Sequence, residues 1–269
     1  MIVTGERIQQ LCDVYLGYLG DFRANPIIAN QPEKHMNLEE LTAPFNNSKY
    51  VFCYSHRIAV LASKIPYFMN DFVLVTHNSD GEIHECAEVL YILNCSKLEK
   101  WYAQNTRFVH EKLSFLPIGI ANSQWVHGNL ENFATTTKTK TRKTYFHFNV
   151  FTNPSKRIPC ADKLEDKLNW LNVMSPRENI SRLSEYEFCI CPEGNGVDTH
   201  RLWEALYVRT IPIVIKSEFT DILLHNNIPL VVLDDWSQFD ESELRYSDYN
   251  LDADSLKRIM TFTYDYIKI

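Results

Sequence analysis

The chain has 269 residues, 27 basic against 34 acidic side chains, a formal net charge of −7, and 45% hydrophobic with 23% charged residues. These fractions exclude a disordered chain, and the acidic balance opposes a nucleic-acid-binding surface while still permitting a local basic patch around a diphosphate. The length is enough for two α/β halves, each burying its own core.

In chain order, residues 1–18 read as helix, 50–54 as a strand, 57–68 as a helix interrupted near Pro66, and 72–76 as a strand. Residues 86–102 contain helix, and 113–118 form another strand. No run of eighteen apolar residues occurs, and Glu6, Arg7 and Asp13 interrupt the first twenty residues. The expectation is therefore no signal peptide, no membrane span and a cytoplasmic location. The seven cysteines fit that compartment as reduced core residues. Cys189 and Cys191 lack metal-ligand company, so no metal site is expected. Residues 128–143, with the run Thr135-Thr-Thr-Lys-Thr-Lys-Thr-Arg142, are polar and low in complexity and read as an inter-domain linker. Beyond it come a strand at 145–151, a helix at 162–173, a strand at 187–191, a helix at 199–208 and a strand at 211–215. A helix at 218–225, a strand at 230–233 and a last helix at 254–269 complete the chain. Strands alternating with helices favour parallel sheets. The expected domains are residues 1–130 and 143–253.

Residues 188–215 carry most of the chemistry. A buried-strand run, Phe188 to Cys191, ends in Pro192-Glu193-Gly194-Asn195-Gly196, a turn able to take positive φ. A helix follows, with Asp198 or Thr199 as its N-cap. Leu202, Ala205 and Leu206 fall on one face, and His200, Arg201 and Glu204 on another. In open α/β sheets ligands bind at this end of the strands. The N–H groups of the turn and helix start attract phosphate, and Arg201 in the first turn needs an anionic partner. Glu204, one turn deeper, can accept two hydrogen bonds from vicinal ribose hydroxyls. Phosphate plus ribose means a nucleotide; the bland alternative is an Arg201–Glu204 surface pair beside an ordinary turn.

Pro192-Glu-Gly-Asn-Gly, His200-Arg201-x-x-Glu204-Ala-Leu and Ile211-Pro-Ile-Val resemble the C-terminal signature of the exostosin-like glycosyltransferases, glycosyltransferase family 47. Within it the chain is most similar to the short enzymes of large algal DNA viruses, over residues 145–235, with weaker echoes at Thr76-His-Asn-Ser-Asp80 and Leu116-Pro-Ile-Gly119. The resemblance implies a GT-B fold, two Rossmann-like domains facing a cleft, with the acceptor in the first, the nucleotide-sugar in the second and the last helix packing back on the first. It also implies inversion at the anomeric carbon. Xylose from UDP-xylose becomes the expected sugar and fucose of a viral capsid N-glycan the expected acceptor. Animal exostosins carry a membrane anchor, which is not expected here. The resemblance further implies that Arg157 contacts phosphate, in the segment running from Asn149 through Thr152 to Arg157, with Arg201 as a second cation. The leaving group would then be neutralised without a metal. Asn195, Asp198 and His200 are expected to line the same pocket. Glu193 either bonds the sugar or satisfies turn amides.

An inverting attack needs a base for the acceptor hydroxyl. Asp80, with His77 behind it, is the leading candidate because Thr76 to Glu82 follows a strand end, although Asp80-Gly81 also makes an ordinary turn. Trp125 could stack on a sugar, with His127 beside it. Another donor (UDP-glucuronate, a UDP-hexose or GDP-fucose) and a non-catalytic glycan- or nucleotide-binding module are the alternatives. A metal-dependent GT-A enzyme using Asp234-Asp235 or Asp252-x-Asp254 is the remaining rival.

Overall fold

The computed structural model describes residues 3–45, 48–134, 138–172, 174–249 and 251. The last helix expected at 254–269, the Asp252-x-Asp254 pair and Thr135 to Thr137 lie outside the described residues. The chain divides into two compact units, one spanning Val3–Ile118 and a second beginning at Gly119. Each is a mixed α/β body on a fully parallel sheet.

The first unit opens with α1 (Gly5–Leu11), capped by Thr4, and β1 (Val14–Gly17). Short helices α2 (Leu19–Arg23) and α3 (Pro26–Ala29) lead to β2 (His35–Asn37). Then come β3 (Tyr50–Tyr54), α4 (Ile58–Lys64), β4 (Phe72–His77), α5 (Ala87–Leu93), β5 (Leu98–Ala103) and β6 (Leu113–Phe115). The strand order is β2-β1-β3-β4-β5-β6. β4 is buried at all six positions, as a central parallel strand covered on both faces must be. Alternate residues divide between two cores. Val51, Cys53 and Leu74 meet Leu61, Val89 and Ile92 on one face, while Phe52, Tyr54 and Val75 meet Ile8, Phe22 and Ile28 on the other. Trp101, fully buried, donates its indole N–H to Thr76 Oγ1 at 2.9 Å, so its polar atom costs nothing.

Three strands here, β1, β2 and β5, were hidden in the sequence. Residues 1–18 are not one helix, because α1 stops at Leu11 and β1 begins at Val14. Asp13 between them accepts the backbone N–H groups of Lys49 and Tyr50, which fixes the start of β1 beside β3. Residues 86–102 likewise hold α5 and then β5.

The second unit contains β7 (Arg142–Tyr145), α6 (Pro154–Leu164), α7 (Pro176–Leu183), β8 (Tyr186–Ile190), α8 (His200–Tyr207), β9 (Ile211–Ile215), α9 (Glu218–His225) and β10 (Val231–Leu233). The order is β10-β9-β8-β7. Phe146, Phe148, Phe188, Ile190, Ile211 and Ile213 pack with Cys160, Leu164, Trp236 and Phe239 in its core. Helix α6 begins eight residues before the expected 162 because Pro154 takes its first position, where a missing N–H is harmless.

The stretch read as a linker belongs to this unit. β7 starts within it, and the Lys140 ammonium donates to Ser184 O, Val208 O and Thr210 Oγ1 at 2.8–3.0 Å, tying the segment to three neighbours. The division of the chain falls before Gly119, so Trp125 and His127 sit in the second unit rather than in a domain ending at 130. All seven cysteines are free thiols, and burial pushes those of Cys53 and Cys160 up. Among the described residues, no helix is long and apolar enough to cross a membrane.

Candidate functional site

β8 delivers the chain to Cys191 and Pro192, and the turn at Glu193 to Gly196 is closed by a Gly194 N–H bond to Gly196 O at 3.2 Å. Arg157, from α6, lies beneath it and is only 8% exposed. Its Nε donates to Glu193 O at 2.9 Å and its Nη1 to Asn149 O at 2.8 Å. Asn149 in turn caps the short turn after β7 by accepting from the Phe151 N–H. A Cβ on residue 194 would come 3.3 Å from Arg157 Nη2 and 3.4 Å from Thr199 Cγ2, so the absence of a side chain at Gly194 leaves the guanidinium uncrowded. Asn153 Nδ2 donates to Gly194 O at 2.6 Å, and Lys156 pairs with Glu193 at 3.3 Å, which gives the Glu193 carboxylate a turn-bracing task.

Helix α8 supplies the second cation. Arg201 Nε donates to Glu204 Oε2 at 3.0 Å and Nη1 to His147 O at 3.0 Å, with the guanidinium over the buried Tyr145 ring. This is no surface pair, for the two side chains are 17% and 7% exposed. Burial alone would push the Arg201 guanidinium down, but Glu204 holds it charged. Burial lowers Arg157 as well, and the nearby charge of Arg201 lowers it further. Glu204 thus serves Arg201 alone, and among the described residues Arg157 has no carboxylate partner. A buried cation without its counter-ion costs several kcal/mol, roughly, and an anion arriving from solution removes that cost.

The residues expected from sequence separate into groups. Arg157, Glu193, Gly194, Arg201 and Glu204 gather around the turn, with Asn149 joined through its carbonyl and Gly196 through the Gly194 bond. Asn195 and Thr152 are exposed, and neither side chain joins that network. Asp198 is 2% exposed and accepts from Trp203 Nε1 at 2.6 Å, a bond inside the helix start rather than a ligand contact. Thr199 is the N-cap, yet its side chain caps nothing. His200 Nδ1 lies 2.9 Å from Gly119 O, and its ring centroid is 6.5 Å from that of His127, which stacks on Trp125 at 6.2 Å with 18° between planes. Trp125 is 56% exposed, so an aromatic shelf runs outward from the start of α8.

In the first unit Asp80 is exposed after β4. His77 is 1% exposed, its Nδ1 accepting the Asn78 N–H at 2.8 Å and its Nε2 3.0 Å from Pro117 O. Both ring nitrogens are spent on the backbone, which leaves no lone pair for an acceptor hydroxyl. The GT-A carboxylate Asp235 is held by Lys163 at 2.6 and 2.7 Å and by the Ser237 N–H, which keep it well below the usual carboxylate range. Among the described residues no group of three His, Cys, Asp or Glu gathers as a metal site would require.

His147 and Tyr145 escaped the sequence reading; only their place at the end of β7 and just beyond it could have marked them. Burial and then Arg201 hold the His147 imidazole below its usual value, opposed by the bond to Leu171 O. With the folded value below the unfolded one, the unfolded chain takes up the proton first, so this group subtracts stability as pH falls through the ordinary histidine range. Urea unfolding at about pH 7.5 and about pH 5.5 is expected to show a larger acid loss for the wild type than for His147→Gln.

No family model matches the chain, and no curated protein matches it.

Proposed function

We propose that this chain is an inverting, metal-independent glycosyltransferase of GT-B design that binds a nucleotide-sugar on the second unit and transfers the sugar to a glycan hydroxyl. The observation that carries the reading is Arg157, a buried guanidinium clamped by two carbonyls beneath a glycine turn, with Arg201 beside it and, among the described residues, no carboxylate of its own. A diphosphate supplies two anionic groups to such a pair, and Arg binds phosphate with a rigid fork of donors. Glu204 keeps one carboxylate oxygen without a protein donor among the described residues, available to ribose hydroxyls. During transfer the two arginines stabilise charge growing on the departing diphosphate. Trp125 and His127 offer a face on which a sugar ring stacks. The likeness to the algal-virus enzymes makes UDP-xylose the first donor to try and a fucosylated glycan the first acceptor.

Calorimetric titration with UDP, UDP-xylose, UDP-glucose, UDP-glucuronate and GDP-fucose, with and without EDTA, tests this directly. UDP-xylose is expected to bind tightly and to ignore EDTA. Glu204→Ala is expected to weaken UDP binding on the order of tenfold, the worth of one or two hydrogen bonds to a charged group. Absence of binding to every nucleotide would overturn the donor site and favour a glycan-binding module.

A further inference from the structure

Just beyond β7 the side chains of the chain alternate between two sides. Phe146 and Phe148 enter the core of the second unit, which leaves Tyr145 and His147 on the side of α8. The Arg201 guanidinium lies 5.6 Å from the centre of the Tyr145 ring, and that ring lies 6.4 Å from the His147 imidazole. Arg201 also bonds to both of its neighbours, through Nε to Glu204 Oε2 and through Nη1 to His147 O, each at 3.0 Å. His147 and Glu204 therefore flank one guanidinium, and all of these residues belong to the second unit.

The imidazole is held by one edge. Its Nδ1 lies 2.9 Å from Leu171 O, and the Leu171 N–H is itself bonded to Phe146 O at 3.3 Å. Trp170 packs against the ring at 5.9 Å between centroids with 61° between planes, and against Phe146 and Phe148 at 4.7 and 5.0 Å. A carbonyl oxygen only accepts, so the hydrogen of the neutral ring sits on Nδ1 and the lone pair on Nε2. Burial and the charge of Arg201 keep the ring neutral at about pH 7.5. Among the described residues no protein donor reaches Nε2, and His147 is only half-buried.

An acceptor in this place selects its ligand by chemistry. A phosphate oxygen brings lone pairs and no hydrogen, so Nε2 repels it while the arginines attract it; a hydroxyl is the group that fits. Glu204 has one oxygen free for a hydroxyl, and His147 adds a second acceptor on the other side of Arg201. A ribose offers two adjacent hydroxyls, and a deoxyribose only one. We propose that His147 Nε2 accepts one ribose hydroxyl of the bound nucleotide while Glu204 accepts the other, which makes the second unit selective for ribonucleotides; this rests on the nucleotide-sugar reading above.

The test titrates UDP, 2′-deoxy-UDP and 3′-deoxy-UDP into the wild type and into His147→Phe by calorimetry at about pH 7.5. The wild type is expected to bind each deoxy analogue on the order of tenfold more weakly than UDP. In His147→Phe the preference over one analogue is expected to fall to about onefold, while the preference over the other persists because Glu204 still holds that hydroxyl. A merely structural role would weaken all three ligands alike and leave both ratios unchanged. Nitrogen NMR of the wild-type imidazole needs no variant to fold: the Nε2 resonance is expected to move when UDP saturates the site and to stay in place with one of the two deoxy analogues. A wild type that binds all three equally, or a His147→Phe variant that keeps both preferences, overturns the His147 contact and leaves the donor site standing. A wild type that does not bind UDP removes the donor reading and this contact together.

Discussion

Arg157→Met is expected to weaken UDP binding by about 100-fold or more while leaving the unliganded protein about as stable as before. Hydrogen bonds to a charged group are worth roughly 1.5–3 kcal/mol each, and about 1.4 kcal/mol is tenfold in affinity, so losing two phosphate bonds reaches that size. The stability side runs the other way. Without ligand, the guanidinium is buried beside Arg201, and among the described residues its hydrogen bonds go to the carbonyls of Glu193 and Asn149. Methionine keeps much of the side chain's apolar bulk, loses those two bonds and removes the buried charge, so the gains and losses offset. Arg157→Lys keeps the charge but not the fork, and an intermediate loss is expected. Calorimetry with UDP and thermal melts without it separate the two effects. A residue that mattered only for folding would show the reverse pattern, a lower melting temperature with affinity intact in the molecules that fold. Unchanged UDP affinity would place the anion elsewhere.

That contrast depends on burial, which is where sequence reading reached its limit. β9 at Ile211–Ile215 and α9 at Glu218–His225 coincide with the expected spans, because β-branched residues buried on both faces and a Ser217 cap leave little choice. The glycine turn before α8 was legible for the same local reason: glycine, proline and a polar helix start lie within a dozen residues. β1 was not, since Val14, Tyr15 and Leu16 follow Ile8, Leu11 and Cys12 at spacings that also suit a helix, and only Asp13 reaching Lys49 and Tyr50 ends the ambiguity. Asp198 and His77 have the right chemistry in the right segments, yet Trp203 and Pro117 claim them through contacts that periodicity does not display. The bonded trio of Asp21, His56 and Ser79 in the first unit was out of reach for a topological reason. Its three segments converge only because β1, β3 and β4 are neighbours, and strand order is a property of the folded sheet.

Gly128→Ala carries the largest expected loss of stability, and the reason lies in two carbonyl groups. A Cβ at 128 would sit 2.1 Å from Asn122 O and 2.6 Å from Ala121 O, distances no carbon tolerates, and both atoms are backbone. Side chains could turn away, but here the segment itself must move. That segment is stitched by the Trp125 N–H to Asn122 O at 3.0 Å and the Gly128 N–H to Trp125 O at 2.9 Å, so relief of the clash breaks hydrogen bonds. A loss of about 3 kcal/mol follows, with a melting temperature lower by roughly 10 °C. Gly20→Ala is the control, because nothing lies within 4 Å of a Cβ there and the site is inside α2. It is expected to gain about 0.5–1 kcal/mol from helix propensity alone. Hydrogen exchange locates the damage: the amides of Trp125 and Gly128 should lose protection in Gly128→Ala and keep it in Gly20→Ala. The Trp125 and His127 shelf rides on this turn, so UDP affinity, which we propose to rest on Arg157 and Arg201, is expected to outlast acceptor binding in Gly128→Ala, whereas equal loss of both would tie the shelf to the nucleotide instead.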